Sequence, residues 1–135
     1  MMLRLDGFGL FVNDMAKMIT FYRDVLGFEI KESIDTEHVY LIKDDTLFLL
    51  YGRNSIEALT RSKFNYAKGI SGHMEIALYV DTFDDVDLYY QKLLKADFEI
   101  VTEPETMPWG QRTFYFADPE GNLIEIGSFN KPFRR

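Results

Sequence analysis

Two carboxylates, one indole and a guanidinium are the side chains best placed to do chemistry in this chain. Glu125 lies in Leu123-Ile124-Glu125-Ile126-Gly127, where apolar residues alternate with the acid. Period-two alternation marks a strand with unlike faces. Glu75 opens a second such run, Glu75-Ile76-Ala77-Leu78-Tyr79-Val80. The register that buries Ile76 and Ile126 turns both acids toward the other face. An unpaired buried carboxylate is costly, so the pair is expected to meet Arg112, Arg53 or water, or a cationic, hydrogen-bond-donating ligand. Trp109, the only tryptophan, sits in the loop segment Pro108-Trp109-Gly110. Its wide rigid ring holds a flat ligand with little loss of rotamer entropy. His73 lies two residues before Glu75, so continued extended geometry would bring it to the same face. Glu125, Glu75 and His73 are then the residues available to a divalent metal, although two carboxylates alone make a weak, oxygen-only site.

The elements that hold these residues occur twice. Gly7-Phe8-Gly9-Leu10-Phe11-Val12 precedes a helix capped by Asn13 or Asp14, with Met15, Met18, Ile19, Tyr22, Val25 and Leu26 at helical spacing. Glu75 to Val80 precedes a helix with Thr82 and Asp85 as a capping pair and Val86, Tyr89, Tyr90, Leu93 and Leu94 as its apolar stripe. Phe21-Tyr22 and Tyr89-Tyr90 stand 68 positions apart (21 to 89, 22 to 90), and both helices run into Phe-Glu-Ile, at 28–30 and 98–100. Gly27 and Asp97 suit left-handed helix ends. Two further strands are expected in each half, His38–Lys43 and Leu47–Tyr51, then Arg112–Phe116 and Leu123–Ile126. Asp118-Pro119-Glu120-Gly121 supplies a type I turn between the last two. Each half therefore reads β-α-β-β-β, and a tandem duplication is the economical explanation. The connection, about 53–72, is longer than an ordinary loop and has room for a short helix over Ser55–Thr60.

Composition narrows the function. The 135 residues carry 22 acidic against 15 basic side chains, a formal charge of −7, which disfavours nucleic acid because phosphate binding relies on clustered Lys and Arg. An acidic field also attracts cationic ligands. There is no cysteine, hence no disulfide framework or thiol chemistry. No apolar run reaches membrane-spanning length, and Met1-Met2-Leu3-Arg4-Leu5-Asp6 lacks a signal-peptide core. A cytoplasmic protein with no membrane partner is expected.

The tandem βαβββ pattern, Phe-Tyr-Arg-Asp-Val-Leu-Gly-Phe at 21–28 and Asp-Pro-Glu-Gly-Asn-Leu-Ile-Glu-Ile at 118–126 resemble the vicinal oxygen chelate superfamily. That superfamily includes glyoxalase I, extradiol dioxygenases and bleomycin-resistance proteins. The resemblance implies an α+β fold of cupped mixed sheets in one domain over 1–135, with module 1 at about 1–52 and module 2 at about 73–130. In metal-dependent members the ligands come from the first and last strand of each module, which here correspond to Gly7, Leu49, Glu75 and Glu125. Glycine and leucine side chains cannot coordinate. Pro108-Trp109-Gly110, with Arg112 just beyond, is similar to the bleomycin-resistance loop whose tryptophan stacks on the drug. The second stacking aromatic of that branch is missing, with His38 or Tyr40 as substitutes. The implied protein is a homodimer binding a planar, cationic small molecule without metal, as in antibiotic resistance. Its expected ligand-facing residues are Trp109, Glu75, Glu125, Arg112, Tyr51, Leu49, Phe11, Tyr79, Tyr40 and His38. The alternative is a lyase, epimerase or dioxygenase with Glu125 and Glu75 or His73 around Zn, Ni, Mn or Fe.

Overall fold

Residues 1–133 are described by a computed structural model, which divides the chain into two units, Met1–Tyr66 and Ala67–Arg135. The first unit runs β1 (Gly7–Val12), α1 (Met15–Thr20) with a π-helical turn over Phe21–Val25, β2 (His38–Lys43), β3 (Thr46–Gly52) and α2 (Arg53–Thr60). Its sheet order is β1-β3-β2, with β3 parallel to β1 and antiparallel to β2. The second unit runs β4 (Glu75–Tyr79), α3 (Phe83–Lys95), β5 (Glu105–Thr106), β6 (Arg112–Ala117) and β7 (Leu123–Ser128). Its order is β4-β7-β6-β5, with β7 parallel to β4 and antiparallel to β6.

Local chemistry sets the helix ends. The Asp14 carboxylate accepts from the Lys17 amide at 3.1 Å, and the Thr82 hydroxyl oxygen accepts from the Asp85 amide at 3.1 Å. Each satisfies a donor the first turn leaves unpaired. Gly27 at φ 77° and Asp97 at φ 61° reverse the chain after α1 and α3. The following amides close the turns, Phe28 on the Tyr22 carbonyl at 2.9 Å and Phe98 on the Leu93 carbonyl at 3.1 Å. The Asp118 turn is held twice over. Its carbonyl accepts from the Gly121 amide at 3.0 Å, and its Oδ1 accepts from the Glu120 and Asn122 amides at 2.9 and 3.0 Å.

The helix-facing side of each sheet carries the core. In the first unit Leu10, Val12, Val39, Phe48 and Leu50 are buried with Met18, Ile19 and Tyr22, and the Tyr22, Phe28 and Phe48 rings meet at 5.2–5.4 Å between centroids. In the second, Ile76, Phe114, Phe116, Ile124 and Ile126 are buried with Val86 and Leu93. Full burial of one such side chain is worth about 1.5–3 kcal/mol.

The Phe-Glu-Ile segments differ from the expected strands. Phe28 and Ile30 are buried, but 28–30 enters no ladder, and the β2 edge amide of Tyr40 donates instead to the Glu32 carboxylate at 2.8 Å. In the second unit Ile100 makes a single bridge to Phe116. The Val101 and Thr102 amides both donate to the Tyr115 carbonyl, and the Thr102 hydroxyl oxygen accepts from the Tyr115 amide. Two residues opposite one interrupt regular pairing, as at a bulge, and β5 takes the edge further on. The expected connection holds α2, longer than Ser55–Thr60 at its start.

Candidate functional site

On the second unit, the face of β7 away from α3 presents Glu125. Its neighbours are dictated by register: Tyr115 lies opposite it on β6, Thr113 opposite Gly127, and Ala77 beside it on β4. Glu125 is only 8% exposed. Its Oε2 accepts from the Thr113 hydroxyl at 2.7 Å, the Tyr115 hydroxyl at 3.1 Å and the Gln111 amide nitrogen at 3.5 Å. The three donors converge on one oxygen of the buried carboxylate. Tyr115 responds to that contact. Burial first, and then the Glu125 charge and hydrogen bond, push its phenol up to about 12.

Trp109 joins this network through Gln111, whose Oε1 accepts from the indole N–H at 3.0 Å. The ring is 65% exposed. Its one polar atom is thus occupied while its faces remain open to solvent. The arrangement needs Gly127, because a Cβ there would meet Gln111 Nε2 at 2.7 Å and Thr113 Oγ1 at 3.2 Å. Glu75, at the start of β4, shares the face, and its carboxylate makes no hydrogen bond among the described residues. Burial first and the Glu125 charge second raise its carboxyl above the ordinary carboxylate range.

Glu75, Glu125 and Trp109 are therefore brought to one face of the second unit. Arg112, expected beside them, is not. Alternation along β6 turns it toward α3, where it donates to Asp87 Oδ1 at 2.9–3.0 Å and to the Thr106 hydroxyl at 3.1 Å. Arg53, the other expected partner, donates to the Phe11 carbonyl at 3.4 Å and lies over the Tyr66 ring at 4.3 Å. Tyr79 donates to the Lys131 carbonyl, accepts from the Phe129 amide and packs on Phe133, so it anchors the segment after β7. Gln111, Thr113, Tyr115 and Gly127 were missed at the sequence level. Counting back from the Asp118 turn would have placed Tyr115 opposite Glu125 and Thr113 opposite Gly127.

The remaining expected residues lie on the first unit. His38 stacks on Tyr51 at 5.6 Å with 19° between planes and meets Tyr40 edge-on at 5.6 Å. Leu49 pairs with Gly9 and Tyr40, and Phe11 stacks on Phe64 at 6.2 Å. This face is aromatic. Phe64 is held there because Glu57 accepts from its amide at 3.2 Å, from Lys63 at 3.2 Å and from the Tyr66 hydroxyl at 2.9 Å.

The donor set does not fit a transition metal. Among the described residues no group of three or more His, Asp and Glu side chains could hold an ion. Gly7 and Leu49 supply no ligand atom, and exposed His73 precedes β4, its amide donating to Ser71 Oγ at 3.4 Å. Two carboxylates without an imidazole give a hard-oxygen pair alone.

The sheet orders, the repeated register and the acid at the end of the second module define a glyoxalase-type protein. The sequence profile of the Glyoxalase/Bleomycin resistance protein/Dioxygenase superfamily matches residues 4–126, and the chain belongs to that family. It is 30% identical over 124 residues to the uncharacterized protein YraH of Bacillus subtilis (strain 168), covering 87% of this chain and 91% of the relative. A protein of unknown function from Agrobacterium tumefaciens str. C58 is 30% identical with a TM-score of 0.75, covering 95% of both chains. The fosfomycin resistance protein FosX of Listeria monocytogenes shares the fold at a TM-score of 0.69 and 18% identity, covering 95% of this chain and 94% of its own. No helix among the described residues is long and apolar enough to cross a membrane.

Proposed function

We propose that the protein binds and sequesters a flat, cationic small molecule without metal, as a homodimer, using the Trp109, Glu75 and Glu125 face of the second unit. The observation that carries this reading is the exposed indole tied through Gln111 to a buried carboxylate. An aromatic plate beside a low-dielectric anion suits a planar cation, since stacking and charge attraction act on different parts of one ligand. Sequestration needs affinity alone, and no nucleophile is required.

Titration with bleomycin or another planar cation is expected to quench Trp109, the only indole. Glu75→Gln with Glu125→Gln should weaken cations more than neutral ligands, and added salt should narrow that gap. Metal analysis is expected to find well below one equivalent of any transition metal, with chelator leaving the melting midpoint unchanged. Binding indifferent to Trp109→Ala and to both Gln changes overturns the reading, as does stoichiometric metal lost with Glu125→Gln.

A further inference from the structure

The Glu125 carboxylate is half satisfied. All three donors converge on Oε2, and Oε1 has no partner among the described residues. No unpartnered side-chain oxygen among those residues is sealed from solvent, so Oε1 opens outward from a residue otherwise more than nine-tenths buried. Buried polar atoms ordinarily have a hydrogen-bond partner, and no side chain among the described residues supplies one to this oxygen. Glu75 on β4 carries a second acceptor to the same face, Glu105 lies opposite Thr113 at the β5 edge, and Arg112 points away to Asp87. The nearby donors on β6 and its loop turn to Oε2 or to one another: Thr113, Tyr115 and Gln111 to Oε2, and Trp109 to Gln111. What is missing is a donor, and one that brings positive charge.

We propose that this face selects a flat ligand bearing an N–H cation, an ammonium or amidinium, whose hydrogens bridge Glu125 Oε1 and the Glu75 carboxylate, and that it discriminates against quaternary ammonium. The inference rests on the binding function proposed above and specifies its ligand class. A quaternary nitrogen offers charge without a donor, and its methyl shell would leave Oε1 desolvated and unpaired. That penalty falls on an acceptor the protein cannot satisfy by itself. Aromatic cages, which suit quaternary ammonium, need several rings around the charge, whereas Tyr115 meets Glu125 through its hydroxyl and Trp109 reaches it through Gln111.

The arriving R–NH3+ keeps its own three hydrogens and donates them to both carboxylates, so no covalent bond forms or breaks. The groups that act on Glu75 from the neighbouring strands are Glu125 on β7 and Tyr115 on β6. Neither supplies a fixed cation able to replace the ligand.

The test uses calorimetry on the full chain with three probes of one ring system: 1-naphthylmethylamine, its N,N,N-trimethyl counterpart and 1-naphthylmethanol. The primary ammonium is expected to bind at least about tenfold more tightly than the quaternary ion, a difference of about 1.4 kcal/mol. The alcohol, which brings no charge, is expected to bind more weakly than the primary ammonium. Glu75→Gln should narrow the preference for the primary ion and keep the fold. Equal affinity for primary and quaternary ions overturns the inference. If Trp109→Ala still weakens both ions in that case, the proposed function stands without it. No binding by any of the three probes overturns both.

Discussion

On β3, Leu49 lies between Gly9 and Tyr40; on β7, Glu125 lies between Ala77 and Tyr115. The two central strands thus occupy the same place in the same mixed sheet, and each has a tyrosine directly across the antiparallel pair. Two residue pairs further along, on the same face, His38 faces Tyr51 in the first unit, and Thr113 faces Gly127 in the second. In the first, imidazole stacks on phenol. In the second, the space over Gly127 is taken by the Gln111 amide on its way to Glu125. A carboxylate therefore stands where hydroxyl and amide donors converge, and a leucine stands where the surroundings are aromatic. The duplicated backbone offers a position, and the neighbouring donors decide whether a buried charge is tolerable there.

The largest test concerns what the units share. Phe48 and Ile124 are equivalent core positions, 3% and 0% exposed. Phe48→Ala should cost about 3–5 kcal/mol and Ile124→Ala about 2–5 kcal/mol in urea unfolding. If one change were nearly neutral, the two cores would not be equivalent in weight. The next test concerns the space over the central strands. Gly127→Ala would press a methyl into Gln111 and Thr113, and overpacking of this kind costs about 1–3 kcal/mol. It should also uncouple Trp109 from Glu125, visible as a shift in indole emission. Gly9→Ala meets the Leu49 Cβ at 3.0 Å and touches no polar network, so it should leave that emission unchanged.

The asymmetry of function is tested at the loop. Trp109→Ala should weaken binding of a planar cation by about 1–3 kcal/mol. Because the ring is largely exposed, stability should stay within about 0.5 kcal/mol. His38→Ala in the first unit should change cation binding far less, since His38 packs on Tyr51 and Tyr40 and takes no part in the Glu125 network.

The smallest effect is electrostatic. Glu75 has its carboxyl raised in the folded protein, so between its unfolded and folded pKa the native state binds more protons than the unfolded one. Stability therefore falls as pH rises through that window. Glu75→Gln removes the like-charge repulsion and should stabilise the protein slightly at neutral pH, because solvent screens an exposed carboxylate. The gain should vanish below the ordinary carboxylate range, where both states are protonated. A gain that persists in acid would assign the effect to packing.

Most of the architecture was legible. The alternating strands, the Asp14 and Thr82 caps, the left-handed Gly27 and Asp97, and the Asp118 turn all follow from local rules that need only neighbours in sequence. The Phe-Glu-Ile segments were less legible. Their alternation matched a strand, while the pairing of 99–102 with 115–117 is a long-range hydrogen-bond choice. At the site, period two placed Glu75 and Glu125 on a common face and loop chemistry exposed Trp109. Arg112 was assigned to the wrong side because its proximity to Trp109 in sequence outweighed the alternation along β6 that sends it to Asp87.

The sequence by itself determined the duplicated strand and helix order, the faces of β4 and β7, and the presence of two acids and one indole on the second repeat. These depend on backbone periodicity and turn chemistry, which act over a few residues. Only the tertiary structure decided that Thr113, Tyr115 and Gln111 would all spend their hydrogens on one oxygen of Glu125 and leave the other open. Satisfaction of a buried charge is settled by which donors the hairpin register brings within hydrogen-bond reach, and that distance is a property of the folded sheet rather than of any segment of the chain.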